Sequence, residues 1–286
     1  MFKTRLLSGI LLVIIALATI ISGGKILFAT LLIISLIGMS ELYKVFQIHN
    51  KALGICGYIF AVVYYVYLYE MIAYEAGTMG TGLLGGAMET ISGVGVAIIF
   101  MALVIAMMAI YVFTFPKFQV EQVMAAFFGV FYVAVMLSYI FQTRALADHG
   151  NFSVWLVFLC SWGCDTCAYC VGVLFGKHKM APVLSPKKSI EGAVGGVAGA
   201  ALLGALYALA INHWGGASAS IPVYAGICAV GGLISMVGDL AASAIKRNHA
   251  VKDYGKLIPG HGGILDRFDS VIFVAPIIYY LLVLVY

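Results

Sequence analysis

Nine long apolar runs, separated by short polar segments, dominate the pattern of the chain. Each has roughly the 17–25 residues that a helix needs to cross the hydrocarbon core of a bilayer. Their approximate bounds are 5–22, 25–45, 52–72, 94–115, 123–143, 152–176, 192–211, 222–246 and 268–286. The glycine-rich segment 77–95 is predicted to form a loop or a re-entrant turn. The pattern therefore predicts an all-α, polytopic membrane helix bundle of about nine transmembrane helices.

Composition excludes a water-soluble fold. Hydrophobic residues make up 63% of the 286 residues, and the mean hydropathy is +1.07, whereas a soluble domain is usually less than half apolar. The first run follows Lys3 and Arg5, as the apolar part of a signal peptide would. It has no convincing small-x-small cleavage site and further runs follow it, so we expect it to be retained as the first span.

The charges between the runs predict the orientation of the chain. Nine crossings place the two termini on opposite sides of the membrane. All but Lys25 and Arg144 of the 16 Lys and Arg residues fall on the side of the N-terminus. Four acidic residues fall on the other side, namely Glu70, Glu75, Glu89 and Asp148. Because Lys and Arg concentrate in cytoplasmic loops, the N-terminus is predicted to be cytoplasmic and the C-terminus outside.

Asp239 lies inside the eighth run, where an ionisable residue is a candidate for function. At 100° per residue, four polar side chains fall within about 80° of it on the helix. They are Ser235, Ser243, Lys246 and Arg247. This face is either the polar wall of a site near the cytoplasmic surface or, in the structural alternative, an Asp–Lys ion pair that seals a packing face.

Asp165 lies inside the sixth run in the same way. Its predicted face also carries Ser161, Tyr169, Gly172 and Gly176. Small residues on one face allow a close helix approach, so the carboxylate is expected to point into the bundle. The structural alternative is a hydrogen-bonded Asp that only stabilises packing.

Two polar loops on the predicted cytoplasmic side contain residue types that suit phosphate and metal binding. Loop 177–192 contains the run SPKKS, whose hydroxyl and ammonium donors suit phosphate oxygens; a basic loop of this kind would equally attract anionic lipid. Loop 247–267 contains Pro259 and several glycines, which allow the backbone to approach a ligand. Asp266 and Asp269 follow at helical spacing, and carboxylates suit Mg²⁺. Together these features indicate a metal-bound polyphosphate.

The residues of these loops resemble a known family. The segment SAIKRNHAVKDYGKLIPGHGGILDRFD, from Ser243 to Asp269, is similar to the signature of the CDP-diacylglycerol synthases, the phosphatidate cytidylyltransferases. Upstream, DTCAYCVGVLFGKHKMAPVLSPKKSIEG is similar to the family's Asp-x-x-Ala-Tyr, Gly-Lys-His-Lys and Ser-Pro-Lys-Lys segments. The resemblance is strong from about Trp162 onward. It implies a membrane enzyme, usually a homodimer, that condenses CTP with phosphatidic acid to give CDP-diacylglycerol and pyrophosphate.

The resemblance also implies a site. Mg²⁺ would be held by Asp239 and Asp266, and the family site has a second cation, K⁺. The predicted catalytic set is Asp239, Ser243, Lys246, Arg247, Asp253, His261, Asp266, Arg267 and Asp269. The predicted substrate-binding set is Asp165, Tyr169, Ser185, Lys187, Lys188, Ser189, Glu191, Lys252, Gly262 and Gly263. His261 is expected to orient phosphate rather than to act as a base.

The sequence leaves two other functions open. A transporter could use Asp165 and Asp239 as an ion or proton relay, although transporters place such sites near the midplane. A basic lipid-binding scaffold would leave the order of residues in the signature unexplained. For the enzyme, we expect five variable spans in 1–150, a catalytic region in 151–286, and a cytoplasm-facing site in a bacterial inner membrane. Its partners would be CTP and membrane lipid, and not nucleic acid.

Overall fold

The structure, a computed structural model, describes residues 2–77, 94–147, 149–260 and 262–286, with side chains from residue 9 onward. The described residues form nine helices and one small hairpin. The helices are α1 Phe2–Ser22, α2 Gly24–Val45, α3 Ala52–Glu75, α4 Gly95–Phe113, α5 Val120–Ala145, α6 Gly150–Phe175, α7 Ile190–Trp214, α8 Ile221–Asn248 and α9 Leu265–Val285. The hairpin pairs strand β1, Lys179–Ala181, antiparallel with strand β2, Ser185–Ser189.

The predicted all-α membrane bundle is confirmed. Helices α2 to α9 are 19 to 28 residues long and apolar enough to cross a bilayer. The apolar part of α1 is shorter, Gly9–Ser22. Most of the glycine-rich segment 77–95 lies outside the described residues, as do Asp148 and His261. The predicted orientation of the termini stays a prediction.

The chain forms two compact units. The first comprises Met1–Phe141 with Tyr254–Leu265, and the second comprises Gln142–Asp253 with Asp266–Tyr286. The division at residue 150, which concerns roles rather than packing, stays a prediction.

Within the first unit, buried hydroxyl groups pair with one another. Ser35 of α2 and Tyr65 of α3 are joined by a hydrogen bond of 2.8 Å. Tyr64 of α3 and Ser138 of α5 are joined by one of 3.0 Å. Because hydrocarbon offers no alternative partners, such bonds satisfy groups that would otherwise be costly to bury.

Within the second unit, glycines on α7 let its neighbours approach closely. A Cβ at Gly196 would lie 2.9 Å from the Ala168 Cβ of α6. A Cβ at Gly204 would lie 2.7 Å from the Tyr224 carbonyl oxygen of α8 and close to Cys228. Small residues at helix contacts are a common means of packing in membranes, and here they bring α6, α7 and α8 together.

Gly204→Ala is expected to lower the apparent melting temperature of the detergent-purified protein. The added methyl group meets backbone, which cannot move aside easily, and such overpacking costs about 1–3 kcal/mol. Gly226→Ala in α8 is the matched control, because a Cβ there meets nothing within 4 Å. Alanine favours a helix over glycine by about 1 kcal/mol, so the control should melt at the wild-type temperature or above. Equal melting of the two variants would contradict the packing argument.

A π-helical turn interrupts α6 at Leu159–Gly163, just before Asp165. The helical wheel used for this span assumed a constant 100° per residue, which does not hold across a π turn. Ser161 is fully buried and shares a 2.6 Å hydrogen bond with Ser270 of α9. The predicted common face of Ser161 and Asp165, which the π turn separates along the chain, stays a prediction.

Candidate active site

A pocket of about 430 Å³ opens in the second unit between α6, β2, α7 and α8. Its polar lining contains six of the predicted site residues, namely Asp165, Tyr169, Lys187, Lys188, Ser189 and Asp239. Small and apolar residues complete the wall, among them Gly172, Val173, Met180, Gly192 and Met236. The structure thus brings the intramembrane acids of α6 and α8 together with the lysines of the SPKKS run.

The β1–β2 hairpin presents those lysines, and Glu191 closes its base. The Glu191 carboxylate accepts hydrogen bonds from the backbone N–H groups of Lys177, at 3.1 Å, and His178, at 3.2 Å. It also lies 2.6 Å from Nδ1 of His178. Its oxygens thus hold the start of the hairpin. The predicted role of Glu191 in substrate binding stays a prediction.

Ser189 joins the hairpin to α7. Its hydroxyl accepts a hydrogen bond of 3.1 Å from the Gly192 N–H and so caps the helix. A Cβ at Gly176 or at Gly192 would lie under 3.0 Å from this hydroxyl. The glycines of the Gly-Lys-His-Lys and Glu-Gly segments thus make room for the cap, which fixes Lys187 and Lys188 next to the first turn of α7.

Lys188 forms an ion pair with Asp239 of α8. Both side chains are about three-quarters buried. An Asp–Lys ion pair, which the structural alternative for Asp239 required, is therefore present. Its lysine comes from the hairpin, so the pair joins a predicted substrate-binding residue to a predicted metal ligand.

Lys246 pairs with Asp266, the other predicted metal ligand. Its Nζ lies 2.8 Å from the Asp266 Oδ1, and the Asp266 side chain is only 3% exposed. Asp269, one helical turn later, is also buried and accepts a 2.8 Å bond from the Ser270 N–H. Asp269 lies within electrostatic range of Asp239 and Lys246. The second unit thus contains the acid–lysine pairs Lys188–Asp239 and Lys246–Asp266, with Asp269 in electrostatic range of both.

These residues fit a Mg²⁺ ion whose coordination is completed by substrate. Among the described residues, no three His, Cys, Asp or Glu side chains form a ready-made metal cluster. Mg²⁺ is typically held by one or two carboxylates together with substrate phosphates and water. Asp239 and Asp266 each form an ion pair with a lysine ammonium, so both carboxylates already bind a cationic group. The donor set suits a hard divalent ion that arrives with a polyphosphate.

The remaining predicted residues lie in several places. Ser185 and Ser243 are partly buried. The side chains of Arg247, Lys252, Asp253 and Arg267 are exposed. Arg267 acts electrostatically on Asp165. Gly262, with a φ of 85°, and Gly263 belong to the segment Tyr254–Leu265 of the first unit. The roles assigned to these residues stay predictions.

Sequence reasoning missed Glu41. It is a buried carboxylate in α2 that accepts hydrogen bonds from the backbone at Ile264 and Leu265. A signal was available, because Glu41 lies within the apolar run 25–45. The rule that singled out Asp165 and Asp239 as ionisable residues inside spans applies to it equally.

Comparison with known proteins places the chain in a family. The model of the cytidylyltransferase family matches residues 3–285 of the chain. A phosphatidate cytidylyltransferase of Staphylococcus aureus (strain COL) is 32% identical over 285 residues, covering 98% of this chain and 99% of the relative. Proteins of the same name from Staphylococcus epidermidis (strain ATCC 12228) and Staphylococcus saprophyticus are 32% and 31% identical over 281 residues, with the same coverage. The chain therefore belongs to the cytidylyltransferase family.

Proposed function

We propose that the chain transfers the cytidylyl group of CTP to phosphatidic acid, giving CDP-diacylglycerol and pyrophosphate. The observation that carries the proposal is the pocket that joins Asp165 and Asp239 to Lys187 and Lys188, in a chain that matches its family almost end to end. The transporter alternative receives no support from the comparisons. The lipid-scaffold alternative would not require two acids in a lysine-lined pocket.

The chemistry follows from the substrates. A phosphate oxygen of phosphatidic acid attacks the α-phosphorus of CTP and forms a new P–O bond. The bond from that phosphorus to the bridging oxygen breaks, and pyrophosphate leaves with the electron pair. The second pKa of a phosphate monoester is about 6, so the nucleophile is already mostly a dianion at neutral pH. The reaction therefore needs no strong general base, and the main obstacle is the repulsion between two anions.

The positively charged side chains of the proposed site reduce the repulsion between the two anionic substrates. Lys187 and Lys188 are assigned to the phosphates of CTP, and Lys246 and Arg247 to the remaining phosphate charge. Such fixed cations stabilise charge that develops in the transition state. Asp239 and Asp266 would hold Mg²⁺, which when bound supplies charge neutralisation at the triphosphate. The family resemblance adds K⁺ as a second cation.

The membrane location suits a lipid substrate. Tyr169 and Val173 line the pocket and are 73% and 66% exposed. Because α6 is a membrane span, these side chains offer a lipid a route from the bilayer to Asp165. We assign the protein to a bacterial inner membrane with the site facing the cytoplasm, as the distribution of Lys and Arg favours. By resemblance to the family, we also propose a homodimer.

The test uses detergent-purified protein, phosphatidic acid, Mg²⁺ and CTP labelled in one of two positions. Label at the α-phosphorus is expected to enter the lipid, while label at the γ-phosphorus is expected to leave as pyrophosphate. Diacylglycerol in place of phosphatidic acid should give no product, because it has no phosphate nucleophile. Transfer of the γ-label to lipid would indicate a kinase and contradict the proposal. Failure of the α-label to enter lipid would also contradict it.

A further inference from the structure

Glu41 places a buried carboxylate against the start of α9. Its side chain belongs to α2, and the residue is 4% exposed. One carboxylate oxygen accepts a 3.1 Å hydrogen bond from the Ile264 N–H, and the other accepts a 2.8 Å bond from the Leu265 N–H. Each oxygen thus has its own backbone donor.

These donors are among the N–H groups that a helix leaves unpaired at its N-terminus. Because α9 begins at Leu265, the amides of Ile264 and Leu265 have no carbonyl partner one turn earlier within the helix. The N-terminal end of a helix also carries a partial positive charge, which favours a nearby anion. Glu41 therefore satisfies the first turn of α9 from another helix.

Two glycines make room for this carboxylate. A Cβ added at Gly255 or at Gly263 would lie under 3.0 Å from atoms of the Glu41 carboxylate. Neither glycine has a positive φ, so backbone conformation does not explain them. The close approach of Glu41 does. Gly263, the second glycine of the Gly-Gly pair in the signature, therefore makes room for the Glu41 carboxylate of this chain.

The segment Tyr254–Leu265, which the Glu41 side chain contacts, is anchored by buried side chains. Tyr254, Ile258, Ile264 and Leu265 are all buried. The N–H of Ile258 donates a 2.9 Å hydrogen bond to the carbonyl of Gly262. Ile258 and Gly262 are thus joined, and Glu41 contacts the residues that follow Gly263 and enter α9.

Asp266 directly follows Leu265 in the chain. We infer that Glu41 is a positioning residue for the reaction: by holding the first turn of α9, it sets the direction in which the Asp266 carboxylate is presented. The inference rests on the proposed function. Substitution of groups that orient a metal ligand commonly costs about 10- to 100-fold in metal affinity or activity.

The experiment compares Glu41→Gln with the wild-type full chain in detergent. Glutamine keeps the size of the side chain but offers one acceptor oxygen for two N–H donors. Backbone hydrogen exchange at residues 264–266 is expected to become faster. The Mg²⁺ concentration for half-maximal activity is expected to rise roughly 10- to 100-fold. A purely structural role would lower stability without changing the Mg²⁺ requirement.

Ser35→Ala is the matched control. Ser35 is fully buried on the same helix and bonds Tyr65 rather than the loop. It should lower the melting temperature while leaving the Mg²⁺ requirement at the wild-type value. An equal rise in Mg²⁺ requirement in both variants would overturn the inference, because general loosening would then explain it. An unchanged Mg²⁺ requirement in Glu41→Gln would overturn it as well, whatever the exchange rates.

Gly263→Ala supplies a second line of evidence. Alone, it should act like Glu41→Gln, because the methyl group displaces the carboxylate. In a Glu41→Ala background the same methyl group has space, so it should add little further effect. Additive effects would contradict the inference. If the wild-type protein makes no liponucleotide, the proposed function fails, whereas hydrogen exchange still tests the hold of Glu41 on α9.

Discussion

Asp239→Asn is expected to reduce formation of the cytidylylated lipid by at least about 100-fold, the order seen when one group that stabilises transition-state charge is removed. Asp239 lines the pocket and pairs with Lys188. Asparagine keeps the size of the side chain but removes the negative charge that both the lysine and a divalent cation require. The measurement is the initial rate of α-label transfer from CTP to lipid in the purified variant. Its dependence on Mg²⁺ should be measured in parallel.

The control for this variant is Glu121→Gln. Glu121 is an exposed acid in the first turn of α5, so the variant loses the same charge outside the pocket. It is expected to keep the wild-type rate. Near-normal turnover of Asp239→Asn, with a melting temperature like that of the wild type, would refute the assignment of Asp239 as a metal ligand.

Asp266→Asn is expected to affect both activity and stability. The Lys246–Asp266 pair is buried, with side chains 14% and 3% exposed. Loss of the carboxylate charge removes this partner from the buried ammonium, and breaking a buried pair in this way costs about 3 kcal/mol or more. The variant should therefore melt at a lower temperature and form little lipid product. Thermal unfolding in detergent and the labelled-CTP assay measure the two effects.

A second substitution separates those effects. In Asp266→Asn/Lys246→Met the buried ammonium of the broken pair is replaced by an apolar side chain of similar size, so the melting temperature should recover. Activity should stay low, because both groups belong to the proposed site. Recovery of activity along with stability would mean that the pair is only structural. The proposed role of Asp266 would then be wrong.

The helices could be predicted well because the bilayer dictates them. The run predicted at 222–246 is the helix Ile221–Asn248, and that at 192–211 is Ile190–Trp214. Hydrocarbon requires about 20 apolar residues with every backbone group paired internally. The same rule made Asp165 and Asp239 conspicuous, and the structure brings both into one pocket.

Other features could not be predicted from the local sequence. SPKKS contains a proline and two lysines, which are unusual in strands. Glu191 closes the hairpin by accepting hydrogen bonds from His178 and Lys177, which lie 13 and 14 residues before it in the chain. The contact of Glu41 with Leu265 joins residues 224 positions apart. No periodic pattern encodes such a contact. The π turn at Leu159–Gly163 likewise leaves no simple signal in residue type.

The closed base of the β1–β2 hairpin has a consequence for how tightly a nucleotide can be held. Ordering a flexible backbone costs roughly 1–2 kcal/mol of conformational entropy for each residue. Between Lys177 and Gly192, that loss is already incurred on folding, because Glu191 and the Ser189 cap fix both ends of the segment. An arriving polyphosphate then has only lysine side chains left to order. More of the attraction between Lys187, Lys188 and phosphate is thereby retained as affinity.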